Sequence, residues 1–275
     1  MSALRLQSRS LLAACFAALV AGCAQAPANP TYVPRVGQEG KDVIWVPTPP
    51  AMVEKMLDMA QVGRDDFVMD LGSGDGRNVI AAARRGARAL GVEFNPDMVE
   101  FSRRTAAREG VADKAKFVQG DMYAADISAA NVLALFLLPD NLRRLTPKFL
   151  DLKPGSRIVV NFFGMEGWQA DETVQLTSDC EPWCLVMLYI VPAKVAGTWR
   201  LPQGELVLEQ KFQMVWGTLV TGGGRTEIGG GRLRGDQIRF SAGGIEYSAR
   251  VSGDRMTGDM KGNAAGAWTA TRVTR

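Results

Sequence analysis

Acidic residues and glycines alternate in one short segment, Asp70 to Arg77, which reads Asp-Leu-Gly-Ser-Gly-Asp-Gly-Arg. Glycines allow positive φ angles and let a ligand approach the backbone without meeting a Cβ atom. The two carboxylates, Asp70 and Asp75, favour a ligand that carries positive charge over a ligand that carries two phosphates. The segment therefore predicts a binding turn for a cationic, nucleotide-like molecule.

Two elements must position this turn. Residues 67–71 form an apolar run typical of a buried parallel strand, and residues 78–85 begin an alanine-rich helix. Strand-to-helix turns of this kind bind dinucleotides, but those turns space their glycines as G-x-G-x-x-G. Here the spacing is G-x-G-x-G, and Arg77 stands in the place of the third dinucleotide glycine. A nicotinamide-dependent oxidoreductase is therefore disfavoured, and S-adenosylmethionine, with its ammonium and sulfonium groups, suits the acidic turn better.

An acid followed by G-x-G-x-G resembles the first motif of the class I S-adenosylmethionine-dependent methyltransferases. The resemblance continues downstream, where a second strand over 89–93 ends at Glu93, 23 residues beyond Asp70, and a third over 116–122 ends at Asp121 and Met122. It implies that Glu93 accepts hydrogen bonds from both ribose hydroxyls, that Asp121 binds the adenine amino group and that Met122 packs on the ring. The implied fold is an α/β Rossmann-like doubly wound sheet, with S-adenosylmethionine as the cofactor.

The segment before the first motif is rich in proline and reads Val46-Pro47-Thr48-Pro49-Pro50. Its prolines fix an extended entry to an amphipathic helix over 52–60. Together with the first motif, it resembles the lysine methyltransferase branch that includes the mitochondrial ATP synthase c-subunit enzyme and its bacterial relatives. That branch implies that Thr48 lines the cofactor site, although a rigid lead into the helix explains the prolines equally well. The expected cofactor contacts are Thr48, Asp70, Gly72, Ser73, Gly74, Gly76, Glu93, Phe94, Asn95, Asp121 and Met122.

The sequence gives a less specific signal for the residues that contact the methyl acceptor. Trp45, Phe94 and Phe136 offer aromatic faces that could stabilise a charged amine or sulfonium, although core packing explains Phe136 as well. Pro139 follows a fourth predicted strand over 131–138, at the end of the sheet where open α/β folds bind ligands. The chain has no histidine, which excludes a Ser-His-Asp triad, a His-bound metal and a histidine base. We expect no metal and assign no catalytic residue.

The branch resemblance favours a protein lysine as methyl acceptor, and a small amine, a lipid headgroup or a quinone-like hydroxyl stays open. A net charge of +3 is too small to indicate a nucleic-acid partner. Methyl transfer is an in-line displacement, so the main task of the protein is to hold a neutral nucleophile about 3 Å from the methyl carbon in a dry pocket.

The first residues resemble a bacterial lipoprotein signal. Arg5 and Arg9 precede a ten-residue apolar stretch over 11–20, and Val20-Ala21-Gly22-Cys23 follows. Ten apolar residues are too few to span a bilayer, and the resemblance implies lipidation of Cys23. A plain secretory signal or a misassigned start are the alternatives. The expected location is the bacterial cell envelope, at the outer membrane or the periplasmic face, or the cytoplasm if this interpretation is wrong.

Export raises a difficulty, because S-adenosylmethionine is a cytoplasmic metabolite. The alternative function is therefore a catalytically retired methyltransferase fold that acts as an envelope binding or scaffolding lipoprotein. The intact acids Asp70, Glu93 and Asp121 argue against that alternative. Cys180 and Cys184, which have three residues between them, could form a disulfide in an oxidising compartment or remain two thiols.

The composition predicts two folded units. Of 275 residues, 47% are hydrophobic and 22% charged, as in globular chains, but 16 of the last 80 are glycine. We expect a signal over 1–22, a tether over 23–40, a methyltransferase domain over 41–195 and a β-rich domain over 196–275. Regularly spaced strands in the last range predict a small antiparallel barrel or sandwich. They are expected near 197–201, 205–212, 214–220, 227–233, 237–241, 245–251, 255–260 and 267–272.

Overall fold

The structure, a computed structural model, describes residues 31–273. The predicted signal over 1–22 and the predicted lipidation site Cys23 lie outside the described residues. Within residues 31–273, no helix is both long enough and apolar enough to cross a membrane.

A seven-stranded sheet forms the first part of the fold. Its strands are β1 (Phe67–Leu71), β2 (Arg88–Glu93), β3 (Ala115–Gln119), β4 (Val132–Leu135), β5 (Arg157–Asn161), β6 (Glu172–Gln175) and β7 (Leu185–Ile190). The order across the sheet is β3-β2-β1-β4-β5-β7-β6, and β7 is antiparallel to both of its neighbours, β5 and β6. The order reverses between β1 and β4, so the carboxyl ends of these strands form the crevice where open α/β sheets bind ligands. The Rossmann-like sheet predicted from the sequence is confirmed.

Four helices cover this sheet: α1 (Pro50–Met59), α2 (Arg77–Arg84), α3 (Pro96–Arg108) and α4 (Pro139–Phe149). Three of them begin at a proline, whose fixed φ suits the first helical position. At the start of α3, the Asn95 side chain accepts hydrogen bonds from the backbone N–H groups of Asp97 and Met98. Helix α1 packs its buried Met52 and Met56 face against β5 and β7. Helices α2, α3 and α4 each begin shortly after β1, β2 and β4 end, so these helix starts surround one crevice.

The remaining strands form a closed antiparallel barrel. They are β8 (Gly197–Leu201), β9 (Gly204–Lys211), β10 (Met214–Thr221), β11 (Gly224–Glu227), β12 (Gly229–Arg234), β13 (Gln237–Ala242), β14 (Ile245–Ser252), β15 (Arg255–Gly262) and β16 (Gly266–Arg272). Eight strands are hydrogen-bonded in the order β10-β12-β13-β14-β15-β16-β8-β9. The last of them, β9, also pairs with β10, and this pairing closes the barrel. The short β11 extends along the far end of β10. The strand predicted over 227–233 is interrupted at Ile228: β11 and β12 both run antiparallel to β10, and the Ile228 N–H donates to the carbonyl of Gly217 between them, where the pairing register shifts by one residue.

The barrel interior is filled by side chains. Phe240 stacks on Tyr247 with ring centroids 4.8 Å apart, and Trp268 meets both rings edge-on. Trp199 is fully buried, and its indole N–H donates to the carbonyl of Val195 over 2.8 Å. The sequence predicted a barrel or sandwich from short β-strands separated by glycines. The structure has a barrel, and side chains pack its interior.

The barrel contacts the first sheet through the β9–β10 turn. Phe212 stacks on Trp168, with ring centroids 5.3 Å apart and planes within 5°. The Gln213 side chain is buried and donates to the carbonyl of Gln169 over 2.6 Å. Trp168 and Gln169 belong to the loop between β5 and β6. The turn therefore holds a loop that begins at the ligand-binding edge of the sheet.

Candidate active site

A cavity of about 240 Å³ opens at the carboxyl ends of β1, β2 and β4. Ten of the eleven expected cofactor contacts line it: Thr48, Asp70, Gly72, Ser73, Gly74, Glu93, Phe94, Asn95, Asp121 and Met122. Of the expected acceptor-side residues, Trp45 and Phe136 also line it. Two expected site residues, Gly76 and Pro139, are not among the lining residues, and Pro139 instead begins α4.

The glycine turn has the conformation that its sequence demands. Gly72, Gly74 and Gly76 have φ angles of 72°, 54° and 82°. A Cβ on Gly72 would point at Leu137 and Met122, at the cavity wall. A Cβ on Gly76 would lie 2.6 Å from the Phe117 ring, behind the cavity. Gly76 is therefore needed for close packing of the turn against β3, and its cofactor contact stays a prediction.

Asp70 lies at the end of β1 and is 3% exposed. Burial raises the pKa of its carboxyl well above the usual range, the hydrogen bond from Asn78 opposes this, and the charges of Glu93 and Asp75 raise it further. The Asn78 amide nitrogen donates to Asp70 over 3.0 Å. No cationic side chain pairs with Asp70 among residues 31–273. A cationic ligand group would complete this site.

Asn78 was missed as a functional residue by sequence reasoning. It lies in the first turn of α2 and is 4% exposed. A polar side chain directly before the apolar run 79–83, in the first turn of a helix and eight residues after a strand-end acid, is the pattern that could have identified it.

Asp75, the second acid of the turn, is paired with a cationic side chain of the protein itself. The Arg77 guanidinium donates to Asp75 from Nε over 2.9 Å and from a terminal nitrogen over 2.6 Å. The other terminal nitrogen of Arg77 donates to the Thr48 carbonyl over 2.6 Å. The bidentate pair holds the Asp75 carboxylate in place, and Arg77 ties the proline-rich segment to the glycine turn.

Glu93 is held by two backbone N–H groups at the end of β2. Its Oε2 accepts from Gly74 and its Oε1 accepts from Asn95, each over 2.9 Å. A carboxylate has about four lone-pair positions, so each oxygen can accept one further hydrogen bond. This geometry suits a vicinal pair of hydroxyls such as those of a ribose.

Asp121 faces the same cavity from the loop after β3. Its Oδ1 accepts from the backbone N–H of Tyr123 over 2.9 Å, and its Oδ2 accepts from Lys41 Nζ over 2.7 Å. The Lys41 hydrogen bond, together with the one from Tyr123, lowers the pKa of the Asp121 carboxyl. Lys41 Nζ also lies 4.9 Å from the ring centroid of Phe94. Phe94 therefore belongs to the Asp121 end of the cavity.

A short hairpin before α1 covers the cavity. The N–H of Gly37 bonds to the carbonyl of Trp45, and the N–H of Trp45 bonds to the carbonyl of Gln38, each over 2.9 Å. The Trp45 indole rests on the glycine turn, where a Cβ on Gly74 would lie 2.4 Å from Nε1. Residues 38–40, which the sequence placed in a tether, line the cavity.

The acceptor side of the cavity contains two residues that sequence reasoning missed, Phe163 and Trp183. Phe163 follows β5, and Trp183 precedes β7 inside a loop closed by a disulfide between Cys180 and Cys184. The sequence is compatible with a disulfide or with two thiols here, and in the structure the two cysteines are bridged. No sequence pattern marked Trp183, because its position depends on how this loop folds back over β5.

Comparison with known proteins identifies related chains. A family model described as the ANTKMT methyltransferase domain matches residues 70–172. A protein-lysine N-methyltransferase of Saccharolobus islandicus is 38% identical over 149 residues, which are 53% of this chain and 88% of that protein. The lysine N-methyltransferase of the ATP synthase c-subunit from Rattus norvegicus is 38% identical over 130 residues, and the match covers 47% of this chain and 60% of the rat protein.

One solved structure is also close in sequence. It is the crystal structure of an RNA methyltransferase from Salinibacter ruber in complex with S-adenosyl-L-homocysteine. The identity is 44%, the TM-score is 0.52, and the match covers 55% of this chain and 96% of that chain.

The cavity fits S-adenosylmethionine on its own chemistry. It offers a buried acid without a cationic partner at Asp70, a carboxylate aimed by backbone amides at Glu93, and bare main chain at Gly72. These groups match, in order, a cationic amino-acid portion, a ribose diol and close backbone approach. The chain therefore belongs to the methyltransferase family represented by the Saccharolobus islandicus protein and the ANTKMT domain, and it is an S-adenosylmethionine-dependent methyltransferase.

Proposed function

We propose that this methyltransferase modifies a lysine side chain of a protein. The observation that carries the proposal is the continuity of one cavity from Asp70 and Glu93 to the rings of Phe136, Phe163 and Trp183. The names of the two protein-lysine relatives, each 38% identical, support the same acceptor. S-adenosylmethionine supplies the methyl group when it is bound.

The residues of the acceptor side suit an amine in two ways. A lysine ammonium must lose a proton before it can act as a nucleophile, and an apolar wall favours the neutral form by lowering the pKa of that amine. During the transfer, positive charge moves toward the amine nitrogen, and aromatic faces attract that charge. Leu137 and Leu138 complete the wall and help to exclude water.

Labelled S-adenosylmethionine tests the acceptor directly. The purified protein is incubated with labelled cofactor and a bacterial envelope extract, and the products are digested and read by mass spectrometry. We expect methyl mass increments on lysine residues, and we expect them to be lost in a Glu93→Ala variant. Label that is confined to RNA, lipid headgroups or small amines would overturn the lysine proposal.

We also propose that the protein works in the bacterial cell envelope, held through lipid on Cys23. The lipoprotein-like sequence before Cys23 supports this location, and so does the disulfide between Cys180 and Cys184, since disulfides persist mainly in oxidising compartments. Metabolic labelling with a fatty acid tests it. We expect label on the wild-type protein and none on Cys23→Ala, whereas an unlabelled, cytoplasmic wild-type protein would overturn the proposal.

A further inference from the structure

Four aromatic rings meet beside the methyl-transfer cavity, and we name them the aromatic wall: Phe136, Phe162, Phe163 and Trp183. The Trp183 ring is the centre of the group, with centroids 5.4 Å from Phe136, 5.0 Å from Phe162 and 6.0 Å from Phe163. Phe136 and Phe163 are 6.5 Å apart. These spacings are those of interacting aromatic pairs, so Trp183 is in contact with every other ring of the wall.

The aromatic wall is part of the cavity surface. Phe136, Phe163 and Trp183 line the same cavity as Asp70, and each is only partly buried. The strand residues just before Phe136 and Phe162 are instead fully buried, as a central sheet requires. The wall therefore begins where the sheet core ends, and it leaves ring faces open to whatever enters beside the cofactor.

Trp183 is held in place from both sides of its backbone. The buried Asn161 side chain, at the end of β5, donates to the Trp183 carbonyl over 2.8 Å. The Trp183 N–H donates to the Cys180 carbonyl over 2.7 Å, within the loop closed by the Cys180–Cys184 disulfide. Both cysteines are at least nine-tenths buried. The loop is thus anchored in the core while the indole faces the cavity.

We propose that Trp183 is the specificity-determining contact for the methyl acceptor and that the disulfide loop is the device that positions it. The inference rests on the proposed lysine acceptor. The alkyl stem of a lysine would pack along Phe136 and Phe163, and its amine would lie against the indole, the aromatic face that attracts cations most strongly. The aromatic wall thereby favours an amine at the end of an unbranched alkyl chain over a nucleophile on a polar or bulky side chain.

Four variants of the full chain test this assignment: Trp183→Ala, Trp183→Phe, Cys180→Ala with Cys184→Ala, and Trp216→Ala. The last is a matched control, since Trp216 is 42% exposed on β10 of the barrel. The readouts are kcat and KM with a lysine peptide, and calorimetric Kd for S-adenosylhomocysteine. Circular dichroism checks whether each variant is folded.

We expect Trp183→Ala to raise the acceptor KM about tenfold, within the range for loss of a cation–π contact, while cofactor Kd changes less than about twofold. Trp183→Phe should keep most of the affinity, and the double cysteine variant should lie between it and Trp183→Ala. Trp216→Ala should match the wild type. An unchanged KM in Trp183→Ala, or a parallel loss of cofactor affinity, would overturn the assignment. If Trp183→Ala does not fold, the double cysteine variant decides by the same criterion, and an unchanged KM in that variant would overturn the assignment.

The same measurements separate failure of the proposed lysine acceptor from failure of the role assigned to Trp183. Wild-type protein that binds S-adenosylhomocysteine but methylates no lysine peptide would overturn the lysine acceptor itself. Wild-type turnover with an unaltered Trp183→Ala variant would overturn only the role of Trp183.

Discussion

The side-chain amide of Asn78 donates a hydrogen bond to the buried carboxylate of Asp70 over 3.0 Å. This neutral donor lowers the cost of burying Asp70, but it does not remove it, and the pKa of Asp70 stays well above its usual range because burial dominates. In the free protein, the ionised form of Asp70 is therefore unfavourable at its buried position. A bound cation would offset this cost, so Asp70 links folding stability to cofactor binding.

Asp70→Asn is expected to stabilise the free protein at neutral pH. For an acid whose folded pKa is raised, the unfolded state loses the proton first, so stability falls as pH rises from about 4, the unfolded value, through the folded pKa. The asparagine variant has no such loss, so its Tm should exceed that of the wild type above this window. Differential scanning fluorimetry over a pH series measures the effect. A variant that melts below the wild type at neutral pH would contradict it.

The raised pKa of Asp70 also predicts how cofactor binding depends on pH. Asp70 attracts a cationic ligand only when it is ionised, so affinity for S-adenosylmethionine should rise as pH rises through the raised pKa of Asp70. Binding at a pH below that value should release protons to the buffer. Calorimetry in buffers of different ionisation enthalpy detects this release, and Asp70→Asn should abolish it. Equal proton release by both proteins would assign the titration to another group.

Glu93→Gln tests the ribose assignment. The amide can still accept a hydrogen bond from Gly74 or Asn95, but its NH₂ group faces the other N–H, and its neutral oxygen binds hydroxyls less strongly. We expect a loss of about 10- to 150-fold in affinity for S-adenosylhomocysteine, the range for hydrogen bonds to a charged group. Glu246→Gln, an exposed substitution on β14 of the barrel, is the control. Unchanged affinity in Glu93→Gln would refute the assignment.

The sequence predicted the elements that are marked by a local pattern of apolar, glycine or acidic residues. The apolar run 67–71 and the glycines after it correspond to β1 and its turn, and the predicted acids Glu93 and Asp121 line the cavity. It missed β6, because Glu172–Gln175 is largely exposed and has no apolar alternation. It also missed the hairpin over the cavity, which is made by few backbone hydrogen bonds and contains Lys41, the partner of Asp121. Contacts across long separations, such as the one between Asn161 and Trp183, leave no local pattern.

The barrel contacts the loop between β5 and β6, which contains part of the aromatic wall. Its β9–β10 turn stacks Phe212 on Trp168, and Trp168 lies in the same loop as Phe163 of the aromatic wall. Phe212→Ala should therefore destabilise the protein by about 2 kcal/mol, since a partly buried ring and a stacked pair are lost. It should also raise the acceptor KM and leave cofactor Kd unchanged, because the hydrogen-bond partners of Asp70 and Glu93 lie outside this loop.

Met214→Ala, an exposed substitution in the same hairpin, is the control for the barrel prediction. Denaturant titration measures the stability change, and steady-state kinetics with the lysine acceptor measures KM. A destabilised Phe212→Ala variant with wild-type KM would show that the barrel contributes only to stability. A rise in KM together with an unchanged cofactor Kd would mean that the barrel supports the acceptor side, since the loop from Phe163 to Trp168 is the physical connection between them.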